Sequence, residues 1–360
     1  MVFPQKVKKS RVPAPRADLR RVSAWATLAL VAVSFVAPAN FVTEQPGPTF
    51  NTIGDFNEKQ LIEIEDAETY PVSGALDMTT VSVAGGPNST VGALNVLSAW
   101  LSDSGSVLPS DLMYAPTVTN EQVSQRNSAE MTNSQEVAQA AALTYLGEDF
   151  TEHLTVSGVA EGGPSEGLIE EQDVILRVDG ANLNGFESLT EAINKPQGAA
   201  VTVTVRRDGA EQDFTITPIY NEENDSYLLG LYLARSFDFP LTVNYGLEEV
   251  GGPSAGLMFA LGIIDELTEG EMTGGEHFAG TGTIDTDGAV GGIGGIAQKM
   301  RGASEAGATV FLAPAENCDE VVGRVPSGLS VVKVETLTDA VEAVEQIGKG
   351  SDPATFPTCS

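Results

Sequence analysis

Apolar and polar positions change their period several times along this chain, and each change marks an element. Residues 22–42 contain no charged side chain, and roughly 20 such residues suffice to span a bilayer core. Residues 61–83 read as short strands, ending in the alternating Met78-Thr79-Thr80-Val81-Ser82-Val83. Helical patterns follow over 92–101 and 134–146, the second with Val137, Ala140, Ala141 and Leu143 on one face and Gly147 as a stop. Between 153 and 219 the period shortens again. Strands are predicted over 154–159, 173–178, 200–206 and 213–218, with one helix over 186–194 and turns at Asp179-Gly180 and Asp208-Gly209. Beyond residue 227 strands and helices alternate. Helices are predicted over 255–264 and 296–306 and strands over 310–314 and 330–334, which describes an α/β or α+β domain.

Charge sharpens this picture. Residues 1–21 hold seven basic side chains against Asp18, net +6, so the remainder of the −31 chain stands at −37. Such an acidic body repels phosphate backbones, and nucleic acid is excluded as a partner. Basic residues ahead of an apolar run point to a membrane element with its N-terminus in the cytoplasm. The expectation is a basic cytoplasmic tail (1–21), a transmembrane anchor (22–42) and everything later outside, at the cell membrane. The competing reading is a cleaved signal peptide, since Ala37-Pro38-Ala39 resembles a small-residue cleavage site. Residues 43–150 carry no chemistry that can be named. Cys318 and Cys359 both fall in the part placed outside, where disulfides persist. A bridge between them would staple the tail (349–360) to the body; two unpaired thiols are the alternative.

Candidate chemistry begins at Gly251-Gly252-Pro253-Ser254-Ala255-Gly256, a tight turn running into an apolar helix. Ser254 would stand at a helix N-terminus, where free N–H groups collect and an oxyanion is favoured. A serine there can equally be a simple cap. Gly252 to Gly256 fits Gly-x-Ser-x-Gly, but so does Gly163 to Gly167, so the pattern alone is loose. A histidine triad has little to draw on, with His153 and His277 as the two histidines and only His277 after Ser254. No His-Glu-x-x-His occurs, and neither a metal nor another cofactor is expected. The glycine run 291–295 lacks the Gly-Lys-Ser/Thr of a phosphate loop.

Two resemblances follow from these residues. Gly163-Pro164-Ser165-Glu166-Gly167-Leu168, then residues 173–180 and 201–209, resemble a bacterial PDZ domain over 153–219, without a clear Gly-Leu-Gly-Phe loop. Such a domain implies peptide binding by strand addition. Gly-Pro-Ser-Ala-Gly at 252–256, Thr281-Gly282-Thr283-Ile284, and Ile293-Gly294-Gly295 followed by Lys299 resemble the proteolytic domain of Lon-type serine peptidases over 227–348. The whole layout is similar to membrane-anchored PDZ–Lon peptidases. The resemblance implies Ser254 as nucleophile, Lys299 as general base and Thr281 as an orienting group. Gly252, Pro253 and Ser254 are the guess for the oxyanion site.

A serine hydroxyl needs a base, and a lysine serves only when neutral, so burial must lower its pKa from about 10.4. Ile293, Ile296 and Met300 could supply the apolar surroundings. Lys299 and Lys333 are the two lysines between 227 and 348, and Lys333 falls in a strand pattern that suits solvent. The implied function is an ATP-independent endopeptidase acting on extracytoplasmic polypeptides, with protein or peptide substrates and a homo-oligomeric body. The alternative is a membrane-anchored PDZ adaptor whose Lon-like domain is catalytically inactive.

Overall fold

Proline at position 38 sets the first boundary, because it lacks an N–H and biases the residue before it away from helix. In the computed structural model the first helix is Leu19–Val36, and the chain then enters strands Pro38–Ala39 and Phe41–Asn51. The structure describes residues 19–36, 38–57, 59–87, 89–102, 104–115, 117–222, 225–247 and 250–359. The expected anchor over 22–42 is corrected accordingly. Phe41 and Val42 belong to a strand, and no helix among the described residues is long and apolar enough to cross a membrane. Arg20 and Arg21 occupy the first turn. The uncharged remainder of the helix, at 1.5 Å per residue, covers about 22 Å of a roughly 30 Å hydrocarbon core. The tail 1–18 lies outside the described residues.

The chain forms two compact units, one of residues 1–45 and 82–120, the other of residues 46–81 and 121–360. In the first, Pro38–Ala39 pairs antiparallel with Val91–Gly92, and residues 41–44 pair with 106–109. Helix Ala93–Leu101 follows the first of these ladders directly.

The second unit holds two sheets with separate cores. One is wholly antiparallel, in the order Ala210–Ile216, Val201–Arg207, Val174–Val178, Thr151–Val159, Leu231–Asp238. Asp208 and Gly209, both with positive φ, form the two-residue hairpin turn between its first two strands. Leu154, Val156, Ile175, Val203 and Val205 fill this core with Leu189 and Ile193 from helix Phe186–Asn194. Its last strand, Leu231–Asp238, lies beyond the PDZ-like boundary at 219 and inside the stretch assigned to the proteolytic domain. Side chains along it alternate half-buried and exposed, the mark of an edge strand with one packed face.

The other sheet carries the candidate site. Ser330–Val334, Val310–Pro314, His277–Gly280 and Ala75–Ala84 run parallel in that order, followed by Phe41–Asn51. Residues 46–81, which offered no chemistry by themselves, thus supply central strands to the candidate catalytic sheet. Helix Gly256–Leu267 is buried at 11 of its 12 residues, which explains why its sequence is apolar on every side as far as Ile264 rather than amphipathic. The helix expected over 134–146 extends from Asn120 to Leu146. Its first turns are polar all round and show no period, yet Glu, Gln and Arg favour helix and Arg126 pairs with Glu130 four residues on. Cys318 and Cys359 form a disulfide, and Lys333 N–H donates to Pro357 O, so the C-terminal tail lies along the outer parallel strand.

Candidate active site

Helix Ile296–Ala306 starts after Gly295, whose φ of 70° is a conformation suited to glycine. From that start, Ile296, Lys299, Met300 and Ala303 fall on one face, the spacing of a buried stripe, while Arg301 and Glu305 face solvent and pair with each other. Lys299 is therefore the polar member of an apolar stripe, and it is only 2% exposed. The loop ahead of it is held by Asn317. That side chain accepts from Ile293 N–H at 2.9 Å and donates to Ile293 O at 2.8 Å, while Glu316 accepts from Gly292 N–H. These N–H groups are committed within the protein and do not form a phosphate cradle.

Ser254 comes one residue before the Ala255 cap of helix Gly256–Leu267, and that cap makes no side-chain hydrogen bond. The capping role is thus not taken up by Ser254. Its Oγ lies 2.6 Å from Lys299 Nζ instead. Lys299 Nζ also donates to Thr281 Oγ1 at 2.8 Å, and Thr281 Oγ1 donates to Ser254 O at 2.9 Å. Gly282 N–H reaches the same carbonyl at 3.0 Å, and Leu257 N–H donates to Gly282 O at 3.1 Å. Three chain segments far apart in sequence are thereby locked to one another. Gly256 is required for this approach, since a Cβ there would stand 2.9 Å from Ile284 Cγ2.

Burial alone pushes the Lys299 ammonium down to about 7. No carboxylate among the described residues forms an ion pair with it, so no structural salt bridge holds the charge. A neutral amine within hydrogen-bond distance of a serine hydroxyl is the arrangement that general-base activation requires.

The expected oxyanion group needs correction. Gly252 N–H donates to Asn127 O at 3.0 Å, and Pro253 has no N–H. Of those three residues, Ser254 retains an N–H for an oxyanion in this arrangement. The loop is held by a helix that sequence reasoning did not connect to the site, since Ser134 Oγ donates to Pro253 O at 3.0 Å. Its only sequence signal is a serine in the apolar face beginning at Met131, which reads equally well as a tolerated core polar group. Both histidines sit elsewhere, His277 paired with Asp77 and His153 with Asp238, each at 2.8 Å. No group of ligands fit to hold a metal ion occurs among the described residues.

A second concavity lies in the antiparallel unit. Helix Phe186–Asn194 and the edge strand at Leu231, Tyr232 and Leu233 enclose about 410 Å³, and no lining side chain is charged. Leu228-Leu229-Gly230 close one end, with Gly230 at φ 71° and Ser165 Oγ donating to Leu229 O. The antiparallel unit also touches the turn after Thr283–Ile284, for Arg235, ion-paired with Glu152, donates to Thr286 Oγ1 at 2.8 Å.

Comparison with known proteins gives two domain matches. Residues 127–217 match the PDZ domain, and residues 237–347 match the Lon protease (S16) C-terminal proteolytic domain. Lon protease 2 of Bacillus subtilis (strain 168) is 25% identical over 190 residues, 52% of this chain and 32% of that protein. Lon protease of Clostridioides difficile (strain 630) is 27% identical over 208 residues, 55% of this chain and 24% of that protein. A Campylobacter concisus (strain 13826) Lon protease is 31% identical over 112 residues, 30% of this chain and 14% of that protein. The chain thus spans about a third or less of the length of these curated relatives. It carries a PDZ domain and a Lon-type proteolytic domain within a mixed α/β structure.

Proposed function

We propose that this chain is a serine endopeptidase in which Ser254 is the nucleophile and Lys299 the general base. The observation that carries the reading is the 2.6 Å separation between Ser254 Oγ and the Nζ of a buried lysine that has no carboxylate partner among the described residues. Neutral Lys299 takes the Ser254 proton as Oγ attacks the scissile carbonyl. The resulting ammonium, held by Thr281 Oγ1, returns the proton to the leaving amine. Water then attacks the acyl-enzyme with Lys299 again as base, and Ser254 is released. The Ser254 N–H faces the developing oxyanion. The reaction is proposed to run without ATP, since neither matched domain holds a Gly-x-x-x-x-Gly-Lys loop.

The groove beside Leu231–Leu233 receives an extended segment of the substrate as an added strand, with an apolar side chain in its uncharged cavity. The apolar helix Leu19–Val36, exposed over residues 21–33, lies behind a basic tail and supports attachment to the cell membrane. Lon-like domains favour rings, and a homo-oligomer is proposed on that resemblance. A fluorophosphonate probe with peptide mapping tests the chemistry. Label on Ser254, absent from Ser254→Ala, is the expected result. A folded protein that takes no label above neutral pH would favour the adaptor reading instead.

A further inference from the structure

The exposed face of helix Ala93–Leu101 is inverted relative to a water-facing helix. Leu94, Leu97, Trp100 and Leu101 are exposed, with Trp100 at 71%, while the small Ala99 is fully buried. Leu94, Leu97 and Leu101 stand at i, i+3 and i+7, one stripe along the helix. That stripe cannot be turned inward by rotating the helix. The backbone at Gly105 approaches Ala99 so closely that a Cβ there would lie 2.6 Å from Ala99 O. Leu112, on the short helix Ser110–Met113, is also exposed, at 79%.

Charge and continuity identify what covers this surface. Residues 38–45 and 82–120 of this unit carry three acidic side chains, Glu44, Asp103 and Asp111, whereas the other unit of this −31 chain stands at −34. Residues 82–120 contain no Lys or Arg and just Asp103 and Asp111. An anionic bilayer repels the acidic unit and tolerates this one. Helix Leu19–Val36 runs against helix Ala93–Leu101, and the ladder of Pro38–Ala39 with Val91–Gly92 joins the end of one to the start of the other. Trp25 on the first helix is also 71% exposed. Tryptophan is the side chain that gathers at the boundary between headgroups and acyl chains.

We infer that helix Ala93–Leu101, with Leu112, is a second membrane element that lies in the bilayer interface rather than spanning it. The inference rests on the membrane attachment proposed above and deepens it. Nine residues give about 13 Å of helix, too short to cross a roughly 30 Å core and sufficient to lie within one leaflet. The interface contacts fix the orientation of this unit against the bilayer, which a single flexible tether does not do.

Two tryptophans, Trp25 and Trp100, make the test direct. Full-length Trp25→Phe protein is reconstituted into vesicles of phosphatidylcholine and phosphatidylglycerol whose acyl chains carry bromine either near the headgroup or near the chain end. Trp100 should lose about half or more of its emission to the shallow bromines and clearly less to the deep ones, as for a helix buried about 5–10 Å below the headgroups. Adding Leu97→Glu and Leu101→Glu, at positions that do not support the fold, should abolish the quenching. The reciprocal Trp100→Phe protein reports Trp25. Quenching of Trp25 without Trp100 would overturn the inference and leave the attachment reading standing, whereas quenching of neither would overturn both. Stronger quenching of Trp100 by the deep bromines would contradict an interfacial position. A blue-shifted but unquenched Trp100 whose emission depends on protein concentration would assign the surface to a second copy of the chain.

Discussion

At the scale of single residues, the account turns on what a buried lysine does to stability. The folded-state pKa of Lys299 is pushed down to about 7, so between pH 7 and roughly 10.4 the unfolded chain binds a proton that the folded chain does not. Stability therefore rises with pH across that window, and burial of the charge is fully unfavourable below it. Lys299→Met keeps length and apolar packing and removes the amine. It should be inactive yet more stable than wild type, with the gain largest near pH 6 and close to zero near pH 10.5. Urea melts at the two pH values measure this, and a gain that does not shrink with pH would show that desolvation is not the cause. Ser134 gives a second residue-scale expectation. Ser134→Ala removes the hydrogen bond to Pro253 O from a largely buried donor, at a cost of about 1 kcal/mol, and frees the nucleophile loop. Turnover should fall more than the melting temperature alone would explain. Equal kcat in the two proteins would reduce Ser134 to a packing group.

At the scale of elements, the far end of helix Gly256–Leu267 holds two acids the proposed mechanism does not use. Asp265 Oδ1 accepts from Met272 N–H, and its Oδ2 is buried with no partner among the described residues. Burial pushes Asp265 up to about 6 and the neighbouring Glu266 up to about 7. Here the folded chain binds the extra protons, so stability falls as pH rises from about 4 through 6 to 7. Asp265→Asn keeps the acceptor for Met272 and removes the charge. It should stabilise by about 1–3 kcal/mol at pH 8 and by little below pH 4, as denaturant midpoints would show. A stability loss at pH 8 would mean that Oδ2 has a charged partner in solution.

The disulfide gives a third element-scale expectation. It closes a loop with a sequence separation of 41, worth about 4 kcal/mol in the chain-entropy account, and Cys318 follows the Asn317 that holds the loop before Lys299. Reductant, or Cys359→Ser, should lower the melting temperature and loosen that loop. Exchange of the Ile293 amide that stays unchanged on reduction would separate the two. Element by element, the sequence is most legible where period and turn chemistry agree, as in the strands joined at Asp208-Gly209 and the stripe Ile296, Lys299, Met300. Ser254, Lys299 and Thr281 were singled out through their resemblance to Lon-type motifs, and the structure brings their side chains within hydrogen-bond distance. Asn127, Ser134 and Asn317 were not, because they act through ordinary backbone contacts that leave no pattern. The strand Ala75–Ala84 looked functionless because its partner, His277–Gly280, pairs with it from 202 residues away, His277 opposite Ala75.

At the scale of the molecule, the PDZ-type sheet and the Lon-type sheet share one compact unit. Arg235 of the first donates to Thr286 in a turn outside both sheets, and Thr286 sits between Thr281 and Lys299 in the chain. Residues Phe150, Phe237 and Phe239 cluster where the antiparallel unit is entered and left. Recognition and chemistry then separate experimentally. Phe186→Asp, at an exposed position lining the groove, should reduce cleavage of protein substrates and leave a short peptide substrate unaffected; equal loss on both would tie the groove to folding rather than to binding. The claim that governs all of this is that a neutral Lys299 activates Ser254. Arginine keeps a positive charge at that place but cannot release a proton in the working range. The deciding measurement is kcat/KM for a peptide substrate from pH 5 to 9, for wild type and a Lys299→Arg protein shown by circular dichroism to be folded. The account predicts a wild-type rate that climbs through about pH 7 and a Lys299→Arg loss of roughly 10²–10⁴-fold at every pH. A folded Lys299→Arg protein that keeps more than about a third of the activity, against that expected loss of a base, would contradict it.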